Sequence, residues 1–367
     1  MAIVNVVDFY GQSLSTGYNS TAYTTSAPAG TYNKKCSTGG IGMVDYSAPN
    51  ATVRNAGSLV SLVEVSVETG VAACCNYLSA RYPEMQFAGF SAGVSGTPLS
   101  DRIKGTSIYT AHLGVATALN ALIVANGDTA RCLGVCMADG ESDLYSGATY
   151  YTEASQIGLD LDVDLRGIFN QTQSIPLILS QPIGDTGGTY DTLAAQCDLA
   201  MAFPSRIYCF PKYNLYSSDS LHLTGSTGYT VMGQTFAKVL QAVSLAGGQW
   251  VGCLPVTCLR TTSTVDLTVN CELGPLVIDT TVVSDPGNYG FEWYDSTSSA
   301  TVSSVAIVAP NKVRVTLSGT PTGASKALRY AFTASPARSA GAPVTGRRGC
   351  IRDSAGNYLP AFNLSAT

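Results

Sequence analysis

The sequence is poor in the residues that most often advertise a function. It holds two histidines, His112 and His222, and only 12% of its 367 residues are charged. Lys and Arg number 20 against 25 Asp and Glu, a formal charge of −5, and no Lys/Arg-rich run is present to neutralise a phosphate backbone. Nucleic acid and anionic membranes are therefore not expected as partners. No stretch approaches the roughly 18 uninterrupted apolar residues of a spanning helix, so membrane insertion is not expected either. The opening run, Met1 to Asp8, has no basic leader and no small-residue cleavage site, and no export signal is read there. The 11 cysteines are odd in number and irregular in spacing, and Cys74, Cys75, Cys132 and Cys209 sit inside apolar runs, which predicts buried free thiols. Neither Cys132 with Cys136 nor Cys253 with Cys258 has a second Cys or His pair at zinc spacing, so no metal is expected.

What is present is apolar patterning. Hydrophobic residues make up 45% of the chain, enough for one sizeable core and a smaller second one. Short apolar runs at 2–7, 85–90, 132–137, 175–180 and 206–210 read as buried strands. Between them, residues 70–81, 111–125, 153–169, 193–203 and 229–242 carry apolar positions at helical spacing. Strands alternating with helices predict a parallel sheet covered on both faces, with the active site at the carboxyl ends of its strands. After about residue 250, segments 265–269, 302–308 and 312–317 alternate apolar with polar, separated by turn formers such as Asp285-Pro286-Gly287-Asn288. The division predicted is an α/β domain over 1–250 and a small antiparallel β-domain over 251–367.

Two histidines leave two candidates for any imidazole chemistry. His222 lies in Ser218-Asp219-Ser220-Leu221-His222, where Asp219 can fix the ring's tautomer and favour the imidazolium. His112 begins an apolar helical stretch with no acid nearby in sequence, and reads as a packed or partly exposed helix residue. A serine nucleophile should follow a strand, and two sequences qualify. Gly11-Gln12-Ser13 follows the first strand; Gly89-Phe90-Ser91-Ala92-Gly93 matches the Gly-x-Ser-x-Gly elbow of α/β-hydrolases. In the α/β-hydrolase plan acid and histidine come from different loops, and an acid three residues before the histidine favours Ser13.

These motifs resemble the SGNH/GDSL hydrolase superfamily, in its sialate O-acetylesterase-like carbohydrate esterase branch, as in esterase domains of bacteriophage tail proteins. Gly11-Gln12-Ser13 resembles the block that supplies the nucleophile, and Asp219-Ser220-Leu221-His222 the block that supplies acid and base. Ala92 to Thr97 resembles the second block, which implies Gly96 as an oxyanion donor beside the Ser13 N–H. Asp139-Gly140-Glu141-Ser142-Asp143 resembles the third block, with a departure. The branch carries a Gln amide donor where this chain has Asp139, and the wider family an Asn amide where it has Ser142. An ionised Asp139 would oppose an oxyanion, so the third donor is lost, or is Ser142, or Asp139 is protonated or turned away. Glu141 and Asp143 read equally as loop caps and as catalytic groups.

The resemblance implies a flavodoxin-like three-layer α/β/α fold, no metal or organic cofactor, and removal of O-acetyl groups from a bacterial surface polysaccharide. It further implies action on a virion tail or outside the cell, with a homotrimer or a phage tail as the assembly. Tyr145, Tyr150, Tyr151 and Tyr213 could stack on sugars, although tyrosines so placed are as often core or rim. Two alternatives stay open: a carbohydrate-binding or structural tail module with a decayed site, and an α/β-hydrolase lipase using Ser91.

Overall fold

Strand β1 (Ile3–Gly11) is buried at every residue after its first, because it runs through the middle of a seven-stranded sheet. The computed structural model describes residues 1–36, 57–144, 146–183, 188–250, 252–334 and 336–367. The other strands of the first part are β2 (Asn33–Cys36), β3 (Leu59–Ser61), β4 (Gln86–Ser91), β5 (Thr129–Ala138), β6 (Leu177–Ser180), β7 (Gly188–Thr189) and β8 (Ile207–Phe210). The sheet order is β3-β2-β4-β1-β5-β6-β8, and all neighbours are parallel except β2 and β3. Taken alone, β1, β4, β5, β6 and β8 lie in the flavodoxin order 2-1-3-4-5, whose switch point falls between β1 and β5.

Helices α1 (Val71–Arg81), α2 (Ser107–Ala125), α3 (Gly147–Phe169), α4 (Asp191–Ala202) and α5 (Thr230–Leu240) cover the sheet. Strand residues alternate between two cores, as period-two side chains must. Val4, Val6, Val135 and Met137 pack with α2, α3 and α4, whereas Val7, Phe9, Leu133 and Cys136 pack with α1 and α5. By length and composition α2 could cross a membrane, although polar residues such as Thr110, His112 and Asn120 interrupt its apolar run. Its apolarity has another use, since Tyr109, Val115, Leu119 and Ile123 are buried in the core.

The remainder is antiparallel: β9 (Leu254–Thr261), β10 (Thr264–Asn270), β11 (Leu276–Ile278), β12 (Phe291–Asp295), β13 (Val302–Ala309), β14 (Lys312–Leu317), β15 (Lys326–Tyr330), β16 (Thr333–Ala334), β17 (Ile351–Asp353) and β18 (Phe362–Ser365). They form sheets β13-β14-β10-β9 and β12-β15-β18 and the pair β11-β17, while β16 pairs with β7. Val265, Leu267 and Val269 of β10 are buried and alternate with partly exposed residues.

The two parts share a core. Tyr190, Leu193, Cys197 and Tyr213 of the α/β part pack with Tyr330, Leu359 and Phe362. The Gln181 amide donates to Ala361 O and accepts from Ala361 N, both at 2.8 Å. The Arg347 guanidinium lies 3.4 Å from the centre of the Tyr190 ring. All eleven cysteines are buried and none is bonded to another.

Candidate active site

Ser13 leaves the sheet at its switch point. Gly11 ends β1 with φ +133, and a Cβ there would stand 2.3 Å from Ala138 O, so only glycine lets β1 and β5 close up at their carboxyl ends. The Gln12 N–H donates to Ala138 O at 3.0 Å, and the Thr16 and Tyr18 N–H groups donate to Ser13 O, folding the chain into a tight turn. Among the described residues no acceptor takes the N–H of Ser13 or of Gly96.

His222 arrives from the far side of the sequence. Its Nε2 lies 3.1 Å from Ser13 Oγ and its Nδ1 3.0 Å from Asp219 Oδ2. A neutral ring protonated on Nδ1 satisfies both contacts, donating to Asp219 and accepting the serine hydroxyl. Asp219 Oδ1 also accepts the Leu221 and His222 N–H groups, each at 2.6 Å, and Oδ2 accepts the Asn19 amide at 2.7 Å. Burial alone would raise this carboxyl, but the donors from His222, Leu221 and Asn19 outweigh it and bring it down to about 2. Asp219 thus stays ionised opposite the ring. Such a row can activate a hydroxyl as a nucleophile.

The loops around the row are tied to one another. Gln12 Nε2 donates to Thr97 O at 2.7 Å and to Ser142 Oγ, while its Oε1 accepts the Glu141 N–H at 2.8 Å. One side chain beside Ser13 therefore joins the loops that follow β4 and β5. Gly96, with φ +73, lies exposed in the first of these. Ser142 lies in the second, and accepting from Gln12 leaves its own O–H to donate. Asp139 is turned away: its carboxylate is fully buried in an ion pair with Arg102 and accepts the Tyr150 hydroxyl at 3.2 Å. Glu141 pairs with Lys212 at 2.7 Å, both side chains nearly sealed, which ties this loop to the chain leading to Asp219. Burial lowers the Lys212 ammonium, and Glu141 opposes that shift. The Asp143 carboxylate accepts the Leu99 N–H at 3.0 Å. Burial, then the nearby Asp139 charge, pushes Asp143 up to about 6. Glu141 and Asp143 hold loops, touching neither Ser13 nor His222 through a hydrogen bond.

Ser91 ends β4 and is buried, its hydroxyl donating to Ser15 O at 2.8 Å. A Cβ on Gly93 would fall 1.7 Å from Ser15 Oγ, so the second glycine of the Gly-x-Ser-x-Gly run is required by the turn that carries Ser13. No imidazole is left for Ser91. His112 is fully buried and does have an acid: its Nε2 lies 2.7 Å from Asp8 Oδ2 in β1, 104 positions away, and its ring stacks on Tyr10 at 4.2 Å.

Tyr150 and Tyr213 are core residues, and Tyr151 packs against the core from its edge; Tyr145 lies outside the described residues. The aromatic ring beside the row is Tyr18, 54% exposed with its centroid 4.7 Å from that of His222. Neither Tyr18 nor Asn19 carries a motif signal, though their position five and six residues after Ser13 could have drawn attention. Among the described residues no group of three or more His, Cys, Asp or Glu is disposed to hold a metal ion.

No protein-family model and no curated protein matches the chain. Among solved structures, the fold is similar to that of a carbohydrate acetylesterase from Xanthomonas citri, with TM-score 0.65 and 13% identity, over 98% of this chain and 80% of that one. Weaker likenesses join it to the protein NanS (TM-score 0.44, 12% identity, 65% of this chain and 96% of that one) and to a carbohydrate acetylesterase from Sinorhizobium meliloti (0.38, 12%, 64% and 97%). At 13% identity the first likeness establishes a shared fold.

Proposed function

We propose that this chain is a serine esterase of the SGNH type that removes O-acetyl groups from a carbohydrate. The observation that carries the reading is the row Ser13–His222–Asp219 at the carboxyl edge of a flavodoxin-order sheet, with contacts of 3.1 and 3.0 Å. Ser13 Oγ attacks the acetyl carbonyl carbon while its proton passes to His222 Nε2, and Asp219 stabilises the imidazolium. The N–H groups of Ser13 and Gly96 receive the oxyanion, and the Ser142 hydroxyl is the third donor. Breaking the bond between the carbonyl carbon and the sugar oxygen hands the His222 proton to the sugar and leaves acetyl on Ser13. Water then attacks this ester and gives one proton to His222, which returns it to Ser13, and the acetyl group leaves as acetic acid, which ionises to acetate and a proton in solution.

The carbohydrate part of the reading draws on the shared fold with a carbohydrate acetylesterase and on the exposed ring of Tyr18, a surface of the kind that stacks on sugars. A bacterial surface polysaccharide as substrate, with action at a virion tail or outside the cell, is the finer form of the proposal.

The test is hydrolysis of p-nitrophenyl acetate and of an O-acetylated polysaccharide by the unaltered protein and by Ser13→Ala and Ser91→Ala, each checked for folding. Ser13→Ala is expected to lower kcat by on the order of 10⁴-fold or more, and Ser91→Ala to leave it near the starting value. Loss of turnover with Ser91→Ala alone would overturn the nucleophile. An unaltered protein inert on varied acetylated glycans but retained on them would favour a binding module.

A further inference from the structure

The acid and the base stand on a short hairpin. Ser217 is bridged antiparallel to Leu223, and the Ser218 N–H donates to His222 O at 2.8 Å. On its other side Ser217 is bridged to Gly341, with N–H to O contacts of 3.0 and 2.8 Å in the two directions. A segment of the C-terminal β-region thereby adds a third strand to the hairpin. Gly341 has φ +101, a conformation that glycine adopts without strain.

Arg338, only 5% exposed, extends the same contact. Its Nε donates to Ser217 Oγ at 2.5 Å, its Nη1 to Tyr213 O at 3.1 Å, and its Nη2 to Leu215 O. Residues 212–215 form a turn, closed by the Leu215 N–H donating to Lys212 O at 3.0 Å. One planar fork thus holds two carbonyls of this turn and the Ser217 hydroxyl, in the segment that leads into Asp219 and His222. The same segment begins at Lys212, which is anchored to Glu141.

We infer that Arg338 is a positioning residue: through Ser217 it sets where His222 stands relative to Ser13, so that the C-terminal β-region is a working part of the active site. This rests on the reading of Ser13, His222 and Asp219 proposed above. Leu215 and Leu223 seat the hairpin in the core with Phe9 and Phe210, and the Arg338 and Gly341 contacts add a second hold from the C-terminal β-region. A loosened hairpin lengthens the Ser13 to His222 contact, and displacements near 1 Å in such groups cost up to about 10²-fold in rate.

The experiment compares Arg338→Met, Arg338→Lys and the surface control Arg314→Met in the full-length chain. It measures p-nitrophenyl acetate kinetics and the imidazole N–H signals by NMR, where two histidines make the spectrum simple and His112 serves as internal reference. Arg338→Met is expected to lower kcat about 10- to 100-fold with little change in KM. It should also speed solvent exchange of the His222 Nδ1–H while leaving the His112 signal in place; Arg338→Lys should recover part of both. If Arg338→Met lowers the melting temperature but leaves kcat and the His222 signal untouched, the residue is merely structural and the inference fails. Should that variant not fold, Ser217→Ala removes one contact of the fork and is read the same way. If the unaltered protein hydrolyses no ester, the proposed function fails, and the His222 signal still decides on the clamp.

Discussion

The molecule contains the same chemical pair twice, in two settings. His112 and Asp8 meet in the core with both side chains fully buried, whereas His222 and Asp219 meet at the sheet's edge, 11% and 38% exposed. At the first site Nε2 is consumed by the acid and Nδ1 is buried without a partner among the described residues, so the ring has no face left for a reactant. At the second the acid takes Nδ1, and Nε2 is turned to a serine. A histidine beside an aspartate is therefore not a site by itself. What separates the two is which nitrogen the acid occupies and whether the other one meets a hydroxyl.

The contrast can be pressed by substitution. The largest effect after loss of Ser13 is expected from Asp219→Asn, which keeps the shape but no longer holds the tautomer; kcat should fall on the order of 10²- to 10⁴-fold with the fold intact, as read by esterase kinetics and circular dichroism. Asp8→Ala should do the reverse. Breaking a buried pair costs about 3–5 kcal/mol of stability in a denaturant titration, while the kcat of the folded fraction stays where it was. A matching fall in kcat would mean that the buried pair also feeds the site.

Smaller effects probe the open side. Tyr18→Ala removes the exposed ring beside His222 and is expected to raise KM for an O-acetylated glycan about tenfold, in line with the roughly 1–1.5 kcal/mol of a stacked aromatic contact. Turnover of p-nitrophenyl acetate should hardly change, and an equal fall on both substrates would assign Tyr18 to holding His222 instead. The smallest effect is on acid stability. Because the Asp219 carboxyl sits at about 2 in the fold against an ordinary 3.8, its contribution is complete above about pH 4 and drains away as the pH falls towards 2. Asp219→Asn should flatten that limb of the stability curve, as measured by thermal melts across the interval.

Much of the frame was legible from residue spacing. Strands β1, β4, β5, β6 and β8 and their helices showed themselves as apolar runs and helical periodicity, and β10, β13 and β14 as alternation, since each pattern is local. Short strands such as β12, with Phe291, Trp293 and Tyr294 in five residues, alternate too little to be read that way. The row was legible in part: Asp219 and His222 are three residues apart, and Ser13 follows a strand. Asp8 escaped notice as the partner of His112 because only the packing of α2 against β1 brings them together. The same holds for the pairing of Asp139 with Arg102, which turns a residue that looked hostile to an oxyanion into a neutralised core group. Arg338 lies over 100 residues from the hairpin it grips.

The cysteines offer a vantage on motion. A thiol reagent needs both access and thiolate, and burial denies it both at every one of the eleven sites, pushing Cys36 up to about 11 and Cys350 up to about 12. Seven of these sulfurs, Cys36 through Cys209, belong to the α/β part, and four, Cys253, Cys258, Cys271 and Cys350, to the antiparallel part. The folded chain is thus chemically silent until it breathes, and the order in which labels accumulate under mild denaturant becomes a clock that names which half comes apart first.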